Sequence, residues 1–189
     1  MRICVFSGSC LGIRSSYKDA AIRLGHAITS NGYDLVYGGS NIGLMGVVAD
    51  TVMENGGHVI GVIPRSIADL GVAHNGLNDL RVVGSMHERK AIMADLSDAF
   101  VVLPGGIGTF EELFEIWTWG QLDYHEKPIA LLNVDGFFDP LTAFLDQVTS
   151  EGFMKPAHRA MPFVSDTPDA IFDAFRAYVA PKVLKVGTG

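Results

Sequence analysis

Apolar strand-like runs alternate with helix-like patterns from one end of this chain to the other, and that alternation leaves few folds open. Strands read at Arg2–Ser7, Asp34–Tyr37, His58–Ile63, Leu80–Val83, Ala99–Leu103 and Pro128–Leu132. Helical spacing reads near Tyr17–Ser30, Leu44–Asn55, Met86–Leu96, Thr109–Gln121, Phe138–Ser150 and Asp169–Tyr178. Runs such as Ala99-Phe100-Val101-Val102-Leu103 are apolar throughout, where a half-exposed strand would alternate with polar residues. Such strands are buried on both sides, which predicts a parallel α/β sheet, doubly wound, with helices on both faces. With 189 residues and no linker or break in composition, the chain reads as a single domain over 1–180. Residues 181–189 carry few apolar anchors and are expected to be a frayed tail.

Three strands run into glycine-rich turns: Ser7-Gly8-Ser9, Gly38-Gly39-Ser40-Asn41-Ile42-Gly43, and Pro104-Gly105-Gly106-Ile107-Gly108-Thr109. Parallel strands share a direction, so all three turns are expected on one edge of the sheet, where such folds bind ligands. The third turn has two readings. Thr109-Phe110-Glu111-Glu112 fits a capping box, with Thr109 as N-cap and Glu112 at the third helical position. A cap does not need Gly105, Gly106 and Gly108 together, however, and glycines beside unpaired helix-start amides also make a phosphate cradle. The run is neither a Walker loop nor a dinucleotide fingerprint, so it implies no redox cofactor.

A second constellation is Met86-His87-Glu88-Arg89-Lys90-Ala91-Ile92-Met93. On a helix, Met86, Arg89, Lys90 and Met93 share a face, and neither cation has an acid three or four residues away. They either reach water or meet an anion from elsewhere, and Glu112 or a substrate phosphate would serve. Downstream of the third turn, Phe110, Leu113, Phe114 and Trp117 read as the core stripe of a helix. Glu112, Glu115, Ile116 and Trp119 fall on the opposite side. Large apolar residues facing outward suggest a partner subunit that encloses Glu112, with a second helix of the same chain as the competing explanation.

Composition removes other classes. A formal net charge of −7 disfavours a nucleic-acid partner. No apolar stretch approaches the roughly 20 residues of a membrane-spanning helix. Met1–Phe6 is too short for a secretory signal, and Cys4 and Cys10 make no disulfide framework, so a reducing cytoplasm is the expected location. The six histidines are scattered without metal-ligand spacing, and no metal is expected. Hydrophobic residues make up 48% of the chain, which is high enough to suggest apolar surface buried between subunits.

Arg89-Lys90-Ala91-Ile92-Met93 and Gly105-Gly106-Ile107-Gly108-Thr109-Phe110-Glu111-Glu112 resemble the paired RKxxM and GGxGTxxE signatures of the LONELY GUY family. The likeness extends through Tyr37-Gly38-Gly39, Gly43-Leu44-Met45-Gly46, Gly61-Val62-Ile63-Pro64, Met86-His87-Glu88 and Trp117-Thr118-Trp119. The resemblance implies a Rossmann-like fold and a homodimer whose active site lies near the interface. The implied activity is hydrolysis of cytokinin riboside 5′-monophosphates or AMP to the free base and ribose 5-phosphate, with no cofactor. It also implies Arg89 and Glu112 as the catalytic pair. Substrate-binding roles would fall to Met86, Lys90, Gly105, Gly106, Ile107, Gly108, Thr109, Thr118, Gly8 and Ser9.

The chain departs from that family at Gly71, where many relatives carry a substrate-contacting Glu, and at Ser40 and Ser15. An older label for such sequences, lysine decarboxylase, finds no pyridoxal phosphate site in these residues. A non-catalytic nucleotide-binding or carrier module is the rival reading, since folds of this kind often serve that role.

Overall fold

A computed structural model of the protein describes residues 1–181. All seven strands lie in one sheet, β1 (Arg2–Phe6), β2 (Asp34–Tyr37), β3 (Val59–Pro64), β4 (Asp79–Val83), β5 (Ala99–Val102), β6 (Ile129–Leu132) and β7 (Pro162–Ser165). Their order is β4-β3-β2-β1-β5-β6-β7, with every neighbouring pair parallel. The chain works outward from β1 to one edge, then returns to β5 and works outward to the other. The switch in direction therefore falls between β1 and β5.

The helices are α1 (Ser15–Ser30), α2 (Gly43–Glu54), the single-turn α3 (Arg65–Ile67), α4 (Met86–Leu96), α5 (Ile107–Gln121), α6 (Asp139–Ser150), the short α7 (Pro156–Arg159) and α8 (Pro168–Ala177). Leu24 and Ile28 of α1, Val48 and Val52 of α2, and Ile171 and Phe172 of α8 pack on Ile3, Val5, Leu35 and Tyr37. Across the sheet, Met93 of α4, Leu113, Ile116 and Trp117 of α5, and Leu145 of α6 pack on Cys4, Phe6, Val36 and Phe100. Successive residues of β1 thus point into two separate cores, which is why the strand is apolar without alternation. This is the expected Rossmann-like doubly wound sheet.

β7 is absent from the sequence reading. It is a four-residue edge strand that begins at Pro162, and proline cannot donate to a ladder and so reads as a breaker. The frayed tail expected at 181–189 lies, beyond Pro181, outside the described residues. No helix among the described residues is long and apolar enough to cross a membrane.

Register sets the ends of the central strands level: Val5 pairs with Tyr37, and Phe6 with Val102. The three glycine-rich turns therefore leave the same rim and bond to one another. Gly8 donates to the Pro104 carbonyl at 3.0 Å, and Leu44 donates to that of Gly8 at 3.0 Å.

Candidate active site

The switch-point turn starts α5 earlier than the capping-box reading required. Gly106 (φ −99°, ψ −159°) stands at the N-cap with no side-chain cap, and Ile107 is the first helical residue. The first intrahelical bond runs from Phe110 to the Gly106 carbonyl at 3.1 Å. The amides of Ile107, Gly108 and Thr109 therefore have no acceptor within the helix, and their partial positive charge faces the rim. Thr109 is not the N-cap. It lies inside the first turn, buried, with its hydroxyl packed so closely on Gly105 that a side chain there would collide.

A close variant of the capping box exists at the other helix of the site, with the glutamate reaching one residue beyond the N-cap. Ser85 accepts from the Glu88 amide at 3.1 Å, and the Glu88 carboxylate accepts from the Gly84 amide at 2.8 Å. This fixes the start of α4 and aims Arg89, one residue further on, across the strand ends. The Arg89 Nε donates to the Val62 carbonyl at 3.1 Å, and its Nη1 stands 3.0 Å from Glu112 Oε1. The rest of the guanidinium lies over Gly38, where any Cβ would strike it. Gly38 is thus glycine to admit a cation.

Arg89 and Glu112 side chains are 11% and 10% exposed. Burial raises the Glu112 pKa above the ordinary carboxylate value, the Arg89 charge opposes that rise, and neighbouring Glu111 adds to it. A buried carboxyl held against one cation, with its proton affinity raised, suits acid–base or charge-stabilising work.

Glu112 reaches this dry setting within the chain, against Arg89 of α4, which is nearer to the competing explanation than to enclosure by a partner subunit. The expected core stripe holds at Leu113 and Trp117 but fails at Phe114, which is 39% exposed, while Ile116 is 2% exposed. The inward side of α5 carries Thr109, Glu112, Leu113, Ile116, Trp117 and Gly120. The helix is turned so that Glu112 faces the sheet, because Arg89 waits there to pair with it. The chain itself encloses this carboxylate.

A cavity of about 230 Å³ opens above the pair, lined by Ser7, Ser9, Met45, Arg89, Gly106, Ile107, Gly108, Thr109 and Glu112. Ser7 escaped the sequence reading as a site residue: it is buried at the end of β1, and its hydroxyl has no hydrogen-bond partner. Its signal was its place at the head of the first turn. Beside this cavity lies a largely apolar hollow of about 430 Å³, bounded by Ile42, Met45, Ile63, Leu70, Val72 and Met86, with Arg89 and Gly108 at the join.

The remaining expected residues divide. Met86 lines the apolar hollow, and its Sδ lies 3.9 Å from Arg89 Nη1. The Gly8 amide is occupied by the Pro104 carbonyl and laces two turns together. Thr118 lies on the exposed side of α5 and lines neither cavity. Lys90 also lines neither; it is buried between α4 and α5, bonded to Glu111 and, at 2.9 Å, to Glu115. Gly71 takes a left-handed conformation (φ +77°) between the hollow's Leu70 and Val72 and brings no side chain to it.

Helix-start amides, a guanidinium and a buried carboxylate at the switch point of a Rossmann-like sheet define a protein built to hold a small anionic ligand beside an acid–base group. The comparisons give that class a family. A family model described as possible lysine decarboxylase matches residues 45–175. Over 169 residues the chain is 54% identical to the probable cytokinin riboside 5′-monophosphate phosphoribohydrolase LOGL9 of Oryza sativa subsp. japonica, covering 89% of this chain and 74% of that protein. It is 52% identical over 178 residues to the rice enzyme LOG (94% and 74%) and 46% identical over 187 residues to LOG3 of Arabidopsis thaliana (99% and 86%). The chain belongs to this LOG family.

Among solved structures, the molybdenum cofactor binding protein of Rippkaea orientalis superposes with a TM-score of 0.70 at 22% identity, covering 93% of this chain and 95% of that one. The molybdenum cofactor carrier protein of Chlamydomonas reinhardtii gives 0.71 at 21% identity, covering 93% and 96%. At these identities the likeness is one of fold.

The decarboxylase description implies pyridoxal phosphate, and the residues do not fit it. That cofactor needs a lysine amine free to form a Schiff base. Lys90, the lysine α4 brings beside the site, is closed off by two carboxylates. Burial weighs against its charge, but the hydrogen bonds to Glu111 and Glu115 outweigh that and hold its pKa above the ordinary lysine value.

Proposed function

We propose that this chain is a phosphoribohydrolase, cleaving the N-glycosidic bond of cytokinin riboside 5′-monophosphates, AMP or both, to free (N6-modified) adenine and ribose 5-phosphate. The observation that carries the reading is the buried Arg89–Glu112 pair opening into a cavity beneath three unpaired helix-start amides. The 5′-phosphate sits on the amides of Ile107, Gly108 and Thr109, near Ser9 and Gly106. That anchor brings the ribose over Glu112. As the bond from C1′ to the base nitrogen breaks, its electron pair leaves with the purine, which takes up a proton. The positive charge left on C1′ and the ring oxygen is stabilised by the Glu112 carboxylate. Water then adds to C1′ and yields its proton to that carboxylate, which releases it to solvent in exchange for the one the purine took up. Arg89 holds Glu112 ionised and aimed.

The base extends into the apolar hollow beside Met86. Its lining of Ile42, Ile63, Leu70 and Val72 favours an apolar substituent on N6. The decisive experiment incubates the purified protein with AMP and with N6-isopentenyl-AMP and assays the released base. Both are expected to be cleaved, the second with the lower KM. Release of neither base, with nucleotide affinity unchanged in Glu112→Ala, would replace the hydrolase with a carrier module.

The working form is a homodimer with its sites near the interface. Ile107 (85% exposed) and Phe114 (39%) put apolar surface on the outward side of α5, next to the cleft. A sedimenting species of 20.3 kDa at micromolar concentration would contradict it. Two free thiols, Cys4 and Cys10, suit a reducing cytoplasm as its location.

A further inference from the structure

Arg89 and Lys90 are adjacent, yet their side chains leave α4 for different partners. Arg89 enters the cleft; Lys90 enters the seam with α5. Its ammonium bonds to Glu111 and stands 2.9 Å from Glu115 Oε2. The Lys90 side chain is 7% exposed, against 50% for Glu111 and 23% for Glu115. Those two carboxylates sit one helical turn apart, a spacing at which like charges repel, and Glu112 lies between them in sequence. To reach a nucleotide, Lys90 would have to abandon both and leave them uncompensated beside a third acid.

We propose that Lys90 is a positioning residue that does not touch the nucleotide. By bridging Glu111 and Glu115 across the α4–α5 seam it offsets the charges flanking Glu112, so that Glu112 stays ionised against Arg89. This rests on the hydrolase reading. The charged and titratable groups acting on Glu112 come from three elements. Arg89 and Lys90 on α4 lower its proton affinity, and Glu111 on α5 raises it. On β1 the buried Cys4 thiol is pushed far above its usual pKa, first by desolvation and then by the Glu112 charge, and stays neutral.

The test uses the full chain, with AMP as probe, in three forms: wild type, Lys90→Met, and the triple variant Lys90→Met/Glu111→Gln/Glu115→Gln. In Lys90→Met, kcat is expected to fall about tenfold at pH values on the acid limb, with KM little changed. The acid limb of its pH–rate profile moves up by about one unit, because two uncompensated carboxylates now disfavour a third. The triple variant removes cation and anions together, and is expected to return both kcat and the acid limb to near wild type. It also decides the matter if Lys90→Met alone does not fold.

A folded triple variant whose KM stays raised tenfold or more, with an unmoved acid limb, would place Lys90 on the nucleotide and overturn the proposal. Carbon-13 NMR titration of the Glu112 carboxyl in the same proteins reads the effect without turnover. If the wild type releases no base, the hydrolase reading fails by itself. A Glu112 midpoint that does not rise in Lys90→Met and return in the triple variant overturns this proposal whatever the activity.

Discussion

Two of the hollows along the carboxyl rim of the sheet differ in size and in sign. The larger, about 760 Å³ beyond β6 and β7, is walled by Asp19, Asp135, Asp139 and Asp166, with Arg23 as its one cation. The smaller, about 230 Å³ at the switch point, has a guanidinium, the open start of α5 and one buried carboxylate. The helix beside each repeats the contrast. At α6 a proline in the first turn removes one helix-start donor, and Asn133, which accepts from the Phe138 amide at 2.8 Å and donates to Asp139 at 2.7 Å, crowds that start with a carboxylate. At α5 the N-cap is the bare Gly106, and the amides that follow it remain available for a ligand. A phosphate dianion would meet four carboxylates in the first hollow, whereas in the second it would meet the free amides at the start of α5, with Arg89 offsetting the single Glu112 charge. Volume ranks the two hollows one way; the sign of the lining ranks them the other, and it decides where an anion goes.

The sharpest way to break that comparison is to strip charge from each hollow in turn. Arg89→Ala and Glu112→Gln are expected to cut base release by about a thousandfold or more, since each removes transition-state stabilisation in a dry site. Asp135→Asn and Asp166→Asn should leave it within about twofold, since both lie outside the cleft and an asparagine can still accept the Ser16 hydroxyl bond that Asp135 makes. Parallel kinetics on the four variants would show equal losses if the acid-walled hollow were the site. A second, smaller effect is expected from Gly38→Ala. Its Cβ occupies the space of the Arg89 guanidinium and should displace that group by a fraction of an ångström or more, with a loss of about a hundredfold in kcat/KM. A change of less than threefold would show that Arg89 has room to spare.

The smallest effect concerns pH. Because burial raises the Glu112 pKa, the folded protein binds this proton more tightly than the unfolded chain does. The group's contribution to stability therefore declines as pH rises from the ordinary carboxylate value of 4.5 through the raised one. Denaturant midpoints measured across that range should fall for the wild type and flatten for Glu112→Gln. Activity runs the opposite way, since catalysis needs the ionised form: it should be lost on acidification above the ordinary carboxylate range.

Much of this was readable before any coordinates. The strands of the central sheet were legible because a segment buried on both faces must be apolar at every position. The three turns were legible because glycine recurs where backbone must approach backbone. What failed shows where local rules stop. Near the starts of the two helices of the site the capping-box pattern reads at Ser85–Glu88 and at Thr109–Glu112, and only at the first does the side chain cap the helix. Gly106 takes an extended conformation with no side-chain demand, so α5 starts two residues before Thr109 and the second pattern is overridden. The stripe on α5 was misread at Phe114 and Ile116 because an amphipathic pattern assumes that charge faces water, whereas here Glu112 faces the sheet.

The order of elements, the double-sided core and the meeting of three turns on one rim follow from the sequence alone, because periodicity and parallel connection are properties of neighbouring residues. Which acid each cation would meet is a different kind of fact. Arg89 and Lys90 have no acid three or four residues away on their own helix. Only the packing of α4 against α5 gives Glu112 to the first and Glu111 with Glu115 to the second. Charge pairing in a buried seam depends on distance through space and on the water excluded from it, and neither quantity is written in the order of the residues.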